Sequence, residues 1–281
     1  MEPYKIPIGQ SLEWMIEFFT EHFSFVTKSF SLIIEKGIVI IMEALMFPPE
    51  WALILLITAV AYFVTKKTKI TLLTLLGLCL IWNMGLWEPT INTIALVLIS
   101  TLFAVSLGIP LGIIAALSGR SHKIIMPILD VMQTMPAFVY LIPAIPFFGL
   151  GPVGAIFATV IFSMPPSIRL TCLGIQQVPA ALVEAADAFG STKTQKLFKV
   201  QLPMATPTIM AGINQTIMLS LSMVVIAAMI GAKGLGGEVW KAIQRLQMDN
   251  GFEAGIAIVI IAMILDRILQ HIGRERRITP A

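Results

Sequence analysis

Apolar residues along this chain gather into long runs that are separated by short polar stretches. Residues 11–47 mix apolar and charged positions at helical spacing, a pattern typical of amphipathic helices at a membrane interface. Beyond Pro48 and Pro49 the apolar runs approach the roughly 20 residues that a transmembrane helix needs. These runs cover residues 51–65, 70–87, 90–118, 124–147, 150–174, 204–231 and 252–270. The pattern predicts an all-α, polytopic membrane protein with about seven transmembrane helices.

The composition points to a bilayer as the solvent of most side chains. The chain has 281 residues, of which 57% are hydrophobic and 12% charged, whereas soluble proteins carry about 25% charged residues. Cys79 and Cys172 both lie inside apolar runs, so they read as ordinary buried residues and not as a disulfide or a metal site. A formal net charge of +3 is too small to indicate a nucleic-acid partner.

Basic residues concentrate in every second connection between the apolar runs. They are Lys66, Lys67 and Lys69, then Arg120 and Lys123, then Lys193, Lys196 and Lys199, and finally Arg274, Arg276 and Arg277. By the positive-inside rule these loops face the cytoplasm, which places the N-terminus outside and the C-terminus inside. The outer loop 231–251 is also basic and weakens this pattern without reversing it. That loop begins as a glycine hinge and continues as a short amphipathic helix.

Motifs for catalysis or nucleotide binding are weak in this sequence. Residues 149–154, GLGPVG, fit the spacing G-x-G-x-x-G, but no strand–helix unit surrounds them, so they indicate a tight turn. No P-loop occurs, and the three histidines lie in three different places, none of them beside a cysteine or a carboxylate pair within a span. We therefore predict no catalytic site, no metal site and no cofactor in this chain. An intramembrane enzyme would need ionisable groups gathered at depth.

Ionisable residues inside the apolar runs lie within about two turns of predicted cytoplasmic ends. Snorkelling or local ion pairing accounts for such positions. Alternatively, Asp130 and Arg169 pair across adjacent helices and brace the inner mouth of a pathway. Prolines within the runs favour kinked helices, as a pathway requires, although kinked packing without a pathway stays open. Among them are Pro110, Pro127, Pro136, Pro143, Pro146, Pro165 and Pro166.

The polar stretch 178–203 interrupts the apolar pattern on the predicted cytoplasmic side. Pro179 suits the first turn of a helix, and Gly190 suits its left-handed stop. Thr192 and Gln195 form a capping-box pattern for a second short helix, which Pro203 is predicted to end. Leu182, Phe189, Leu197 and Phe198 supply apolar anchors beside the lysines. The alternative is a solvated loop whose lysines contact anionic lipid, but two caps and an alanine patch favour a docking element.

This docking element resembles the EAA loop of ATP-binding-cassette importer permeases. The match consists of Glu184-Ala185-Ala186, Gly190, Val200 in the usual isoleucine position, and Leu202-Pro203. The resemblance extends over residues 90–269, which implies the five-span core of type I importer permeases. Stretches 130–151 and 230–246 are similar to the permeases for glycine betaine, proline betaine and related osmoprotectants.

The resemblance implies three regions in the chain. Residues 1–87 would form an amphipathic region and two scaffold helices, residues 88–271 the permease core, and residues 272–281 a basic cytoplasmic tail. The residues that it implies for coupling to an ATPase are Glu184, Ala185, Ala186, Phe189, Gly190, Lys193, Val200, Leu202 and Pro203. Tyr140, Phe147 and Phe148, with Asp130 and Arg169, are candidates for a pathway or gate, although packing is the competing reading of the aromatic residues.

The resemblance also implies the partners of the chain. Two copies would form the pathway in the bacterial cytoplasmic membrane, two cytoplasmic subunits would bind ATP and Mg²⁺, and an extracytoplasmic protein would deliver the solute. Another permease substrate, such as choline, carnitine or an amino acid, is the first alternative. An ion-coupled secondary transporter is the second, although the sequence shows neither an internal repeat nor suitable midplane carboxylates.

Overall fold

A computed structural model describes residues 14, 17, 18, 20–22 and 24–275, and this part of the chain consists of helices joined by short connections. The helices from residue 24 onward are α1 (Ser24–Met46), α2 (Glu50–Thr65), α3 (Thr68–Asn83), α4 (Trp87–Leu117), α5 (Gly119–Thr134), α6 (Leu141–Phe148), α7 (Pro152–Ser163), α8 (Pro165–Gln176), α9 (Ala180–Ala188), α10 (Lys193–Lys196), α11 (Leu202–Ala227), α12 (Leu235–Arg245) and α13 (Met248–Glu275). Short 3₁₀ turns occupy Ala137–Tyr140 and Ala228–Ile230, and a π-helical turn occupies Leu197–Gln201. The all-α prediction is confirmed for the described residues.

Three helical stretches of the described residues are long and apolar enough to cross a membrane: Trp87–Leu117, Pro152–Gln176 and Lys193–Ile230. Two bent pairs raise the number to as many as five, and the apolar helix α3 is shorter, with 16 residues. Helix α13 has 28 residues where the run 252–270 predicted a span. The predicted count of seven stays a prediction.

One predicted span is broken in the middle. The run 124–147 folds as α5 and then a second helical segment, Ala137–Phe148, with an angle of 112° between them. The break falls at Met135, whose backbone is extended (ψ 136°), directly before Pro136. Proline disfavours the helical conformation in the residue that precedes it. The kink that the prolines of this run predicted is therefore confirmed, as a sharp break between two helical segments.

The central core lies where α4, α8 and α11 cross at close range. A Cβ on Gly112 of α4 would lie 2.6 Å from the Ile168 carbonyl oxygen of α8. A Cβ on Gly212 of α11 would lie 3.0 Å from Cβ of Leu170 and 3.1 Å from the Pro166 carbonyl oxygen. Since any side chain would separate these backbones, glycine is what lets the three helices approach.

The N-terminal helices pack onto this core from two sides. Ile34 and Ile38 of α1 are buried in the cluster that α4, α7 and α11 form. Helices α2 and α3 pack against α13 in a second cluster, and Leu265 contacts both clusters. The outer surfaces of these helices remain apolar and exposed, as Phe63 and Leu76 illustrate. Such surfaces suit contact with lipid and not with water.

Candidate functional site

The docking element, residues 178–203, begins with the alanine-rich helix α9. Pro179 stands at its N-cap, one position before the first helical residue, and its carbonyl accepts hydrogen bonds from the N–H groups of Leu182 and Val183 at 3.0 and 3.4 Å. Of the family-motif residues on α9, Ala186 is buried, whereas Glu184 and Ala185 are exposed. The carboxylate of Glu184 therefore faces outward.

The turn between α9 and α10 has the geometry that the sequence predicts. Gly190 has φ +73°, its N–H donates to the Asp187 carbonyl at 2.9 Å, and the Ser191 N–H donates to the Ala186 carbonyl at 3.0 Å. This is a Schellman motif, in which glycine takes the left-handed position without steric cost. The predicted left-handed stop at Gly190 is confirmed.

The capping box of the second helix is also confirmed. The Gln195 N–H donates to Oγ1 of Thr192 at 3.3 Å, and the Thr192 N–H donates to Oε1 of Gln195 at 2.9 Å. Two helix-start donors are thereby satisfied within one short segment.

The predicted end of the second helix at Pro203 is wrong. Helicity continues from α10 through the π turn into α11, so that Lys193–Ile230 forms one stretch of 38 residues. At the end of the π turn the Leu202 N–H donates to the Leu197 carbonyl, five residues back. Pro203 follows directly, within the first turn of α11, where helices tolerate a residue without an N–H. The docking element is consequently continuous with a membrane-spanning helix.

The exposed side of the docking element is strongly apolar. The side chain of Phe189 is 91% exposed at the tip of the turn, and Leu182 and Phe198 are exposed beside it. Val200 and Leu202 are half-buried. Because an aromatic side chain so fully in water is unfavourable, this surface has the character of a contact for another protein.

An ion pair that the sequence pattern did not predict fixes the two helices of this element together. Nζ of Lys196 lies 2.8 Å from both carboxylate oxygens of Asp187. Lys196 is therefore engaged within the element, whereas Lys193 and Lys199 are exposed. Asp187 and Lys196 lie nine positions apart on either side of a glycine turn, and this spacing could have indicated the pair from the sequence.

Asp130 and Arg169 form an ion pair between α5 and α8, in which Nη2 of Arg169 donates to Oδ1 of Asp130. The Nε of Arg169 is buried without a partner among the described residues. The same two helices meet again where Nδ1 of His122 lies 3.6 Å from Sγ of Cys172. The structure thus brings the first two residues together, while their predicted role at the mouth of a pathway stays a prediction.

The three candidate aromatic residues fall into two separate groups. Tyr140 is buried, donates its hydroxyl to the Met132 carbonyl across the break between α5 and α6, and packs edge-on against Phe162 at 5.7 Å between centroids. Phe147 and Phe148 pack instead around Phe157, with centroid distances of 6.4 and 4.6 Å. These contacts are packing contacts, and a role as a gate stays a prediction for all three residues.

Reversing one charge of the Asp130–Arg169 pair should weaken the contact between α5 and α8. We expect Asp130→Arg to lower the thermal stability of the purified protein, because two guanidinium groups would then face each other. The double variant Asp130→Arg/Arg169→Asp should recover most of the loss, with a coupling of about 0.2–1 kcal/mol for so exposed a pair. Equal stability of the double variant and the Asp130→Arg variant in thermal unfolding would contradict this assignment.

At the opposite end of the bundle, two glycine turns meet. Gly149 (φ +73°) and Gly151 (φ +127°) confirm the predicted tight turn, and the Gly151 N–H donates to the Ile230 carbonyl at 2.8 Å. Gly231 and Gly234 also have positive φ, and the amphipathic helix α12 follows them as predicted. Sequence patterns gave no signal for this meeting, since its partners lie far apart in the chain.

Comparison with known proteins identifies proteins that are similar to this chain. Residues 108–277 match a family described as binding-protein-dependent transport system inner membrane component. The chain is 50% identical to the glycine betaine transport system permease protein OpuAB of Bacillus subtilis, over 96% of this chain and 94% of that protein. It is 54% identical to the glycine betaine/carnitine transport permease protein GbuB of Listeria monocytogenes, over 82% of each chain.

Further matches come from a longer relative and from a solved structure. The chain is 55% identical to the glycine betaine/proline betaine permease ProW of Escherichia coli, over 73% of this chain and 58% of that protein. Among solved structures, an inward-facing form of the MetNI methionine ABC transporter superposes with a TM-score of 0.62 at 21% identity, covering 66% of this chain and 93% of that one. This structural likeness concerns the fold.

Proposed function

The chain belongs to the family of binding-protein-dependent transport system inner membrane components, and from that premise we propose that it is the permease subunit of an ATP-driven importer of glycine betaine and related quaternary ammonium osmoprotectants. The observation that carries the proposal is the continuity of the docking element with a membrane-spanning helix. In addition, the relatives OpuAB, GbuB and ProW, at 50–55% identity, are all glycine betaine permeases by name.

ATP would be hydrolysed by partner subunits, because this sequence contains no P-loop. Two cytoplasmic ATP-binding subunits would each receive the docking element of one permease copy. Phe189 would enter a groove of the ATPase as the buried anchor, and Leu182 and Phe198 would surround it. Glu184 and Lys193, both exposed, would contribute charge at the rim.

Movement of the ATPase would reach the membrane as a rigid-body displacement. The helical stretch Lys193–Ile230 has 38 residues and is therefore about 55 Å long. The Schellman turn, the capping box and the Asp187–Lys196 ion pair hold α9 against the start of this stretch. A displacement of the docking element would consequently tilt α11 against α4 and α8, and so switch the dimer between inward- and outward-facing states.

The location of the protein follows from the same proposal. The chain would span the bacterial cytoplasmic membrane with its N-terminus outside and its C-terminus in the cytoplasm, so that the docking element meets the ATPase. A second copy of the chain would complete the pathway, and an extracytoplasmic binding protein would deliver the solute. Selectivity would reside largely on that binding protein.

The substrate has one close alternative. Carnitine appears beside glycine betaine in the name of GbuB, whereas a permease named for choline alone is 31% identical. Glycine betaine is therefore the substrate that we propose first, with carnitine, choline or an amino acid as alternatives. An ion-coupled secondary transporter is the alternative from a different class.

Uptake by reconstituted vesicles tests the proposal. The full complex of permease, ATPase and binding protein is expected to accumulate labelled glycine betaine only when ATP is present on the ATPase side. Unlabelled glycine betaine should compete more effectively than choline. Uptake by this chain alone, driven by a sodium or proton gradient without ATP, would overturn the proposal.

A further inference from the structure

A cavity of about 480 Å³ opens at the end of the bundle opposite the docking element. Its walls are the start of α4, the glycine turn after α11 and the first turns of α12. Its lining includes Glu88, Asn92, Lys233, Gly237 and Trp240. A volume of this size lies within the roughly 300–1,000 Å³ that is usual for small-molecule sites.

The wall of the cavity carries one carboxylate and one ammonium group that are not paired. Glu238 and Lys241, which also line it, neutralise each other at 2.8 Å. Among the described residues, Glu88 and Lys233 form no ion pair. The cavity therefore presents a free charge of each sign to an occupant.

An aromatic ring and a buried amide complete the polar wall. Trp240 is half-buried and contributes the only indole among the lining residues of this cavity. Asn92 is 7% exposed, and its Nδ2 donates to the Glu88 backbone carbonyl at 3.0 Å. This bond ties the Asn92 side chain to the backbone of the residue that carries the free carboxylate.

The first turn of α12 supplies the positive side of the cavity. The Leu235 N–H donates to Oγ1 of Thr93 at 2.8 Å, and that hydroxyl donates to the Pro89 carbonyl at 2.9 Å. Helix α12 is thereby held against α4 with its N-terminal end at the cavity. Gly237, in that first turn, lines the wall, and a helix N-terminus favours a carboxylate.

We propose that this cavity is a binding site for a small zwitterion that carries a quaternary ammonium group and a carboxylate. The cationic group would lie against the Trp240 face and the Glu88 carboxylate, where cation–π and Coulomb attraction act together. The carboxylate would lie between the Lys233 ammonium and the N-terminal turn of α12. This inference rests on the proposed function. It adds a solute-binding site on the permease, between the binding protein and the membrane-spanning helices.

A thiol placed in the cavity wall tests the proposal directly. Gly237 is suited to this, because an added Cβ would meet only the Ala232 carbonyl oxygen at 3.5 Å, an ordinary contact. In the full complex with both native cysteines replaced by serine, labelling of Gly237→Cys by a small water-soluble thiol reagent would be timed. Glycine betaine should slow the labelling about three-fold or more relative to sucrose at equal osmolality.

Substitutions of residues that line the cavity test where the bound molecule lies. Trp240→Leu and Glu88→Gln should each abolish the protection, whereas the control Trp51→Leu, an exposed tryptophan outside the cavity, should retain it. Choline, which lacks the carboxylate, should protect less than glycine betaine, and Lys233→Gln should remove that difference. A zwitterionic lipid headgroup as the occupant would make protection insensitive to glycine betaine in vesicles rich in phosphatidylethanolamine.

Several results would overturn the inference. They are the absence of protection by glycine betaine, protection that persists in Trp240→Leu, and dependence on phosphatidylethanolamine alone. ATP-driven glycine betaine uptake by the wild-type complex, measured in parallel, separates the two proposals. Uptake without protection overturns this site only, whereas absence of uptake overturns the proposed function.

Discussion

Phe189→Asp should abolish ATP-driven uptake while leaving the chain folded in the membrane. The side chain of Phe189 is 91% exposed, so its replacement removes little packing within the chain. In the assembled complex it would be a buried anchor, and loss of such an anchor costs about 2 kcal/mol or more, which is about thirty-fold in affinity. A buried carboxylate would add a further penalty.

The measurement for Phe189→Asp has two parts. Co-purification of the ATPase subunit with the permease and uptake by vesicles should both fall, whereas thermal unfolding of the permease alone should match the wild type. The control variant Phe189→Leu keeps an apolar anchor and should retain most of the activity. Wild-type levels of ATPase capture in Phe189→Asp would show that this surface is not the docking surface.

Gly112→Leu should prevent stable folding. Its side chain would start 2.6 Å from the Ile168 carbonyl oxygen and 2.6 Å from Cβ of Thr171, at the closest approach of α4 and α8. Neither a carbonyl nor a Cβ can move aside without displacing its helix. Overpacking at sites with some freedom costs about 1–3 kcal/mol, and we expect at least the upper end of that range here.

The control for this variant lies in another helix of the membrane domain. Gly255 of α13 has no atom within 4 Å of an added Cβ, so Gly255→Leu should accumulate and unfold like the wild type. The readouts are the amount of protein in the membrane and the unfolding temperature in detergent. Equal behaviour of Gly112→Leu and Gly255→Leu would contradict the close packing of α4 and α8.

Local rules accounted for most of the docking element. The stop at Gly190 and the capping box of Thr192 and Gln195 depend on residues within a few positions of one another, and both were predicted from the sequence. The end of the helix at Pro203 was predicted wrongly, because a π turn immediately before it shifts the hydrogen-bond pattern. Sequence rules for proline do not include such a turn.

Contacts between distant parts of the chain could be predicted from the sequence only in part. The pairing of Asp130 with Arg169 could be predicted, since two opposite charges in neighbouring apolar runs have few other partners. A kink in the run 124–147 was also predicted, but its position at Pro136 could not be, because three further prolines lie in the same run. The hydrogen bond between Thr93 and Leu235 spans 142 residues and has no sequence signature. The cavity beside this hydrogen bond could therefore not be predicted from the sequence.

Labelling at position 188 tests the central claim most directly: the docking element lies in the cytoplasm and receives the ATPase. Ala188 is exposed beside Phe189, and its replacement leaves the Phe189 anchor in place. The chain has only two native cysteines, so a variant that replaces both by serine and carries Ala188→Cys has a single reactive thiol. A membrane-impermeant thiol reagent is expected to label it from the cytoplasmic side only, and bound ATPase should protect it. Labelling from the outer side, or equal labelling with and without bound ATPase, would contradict the account.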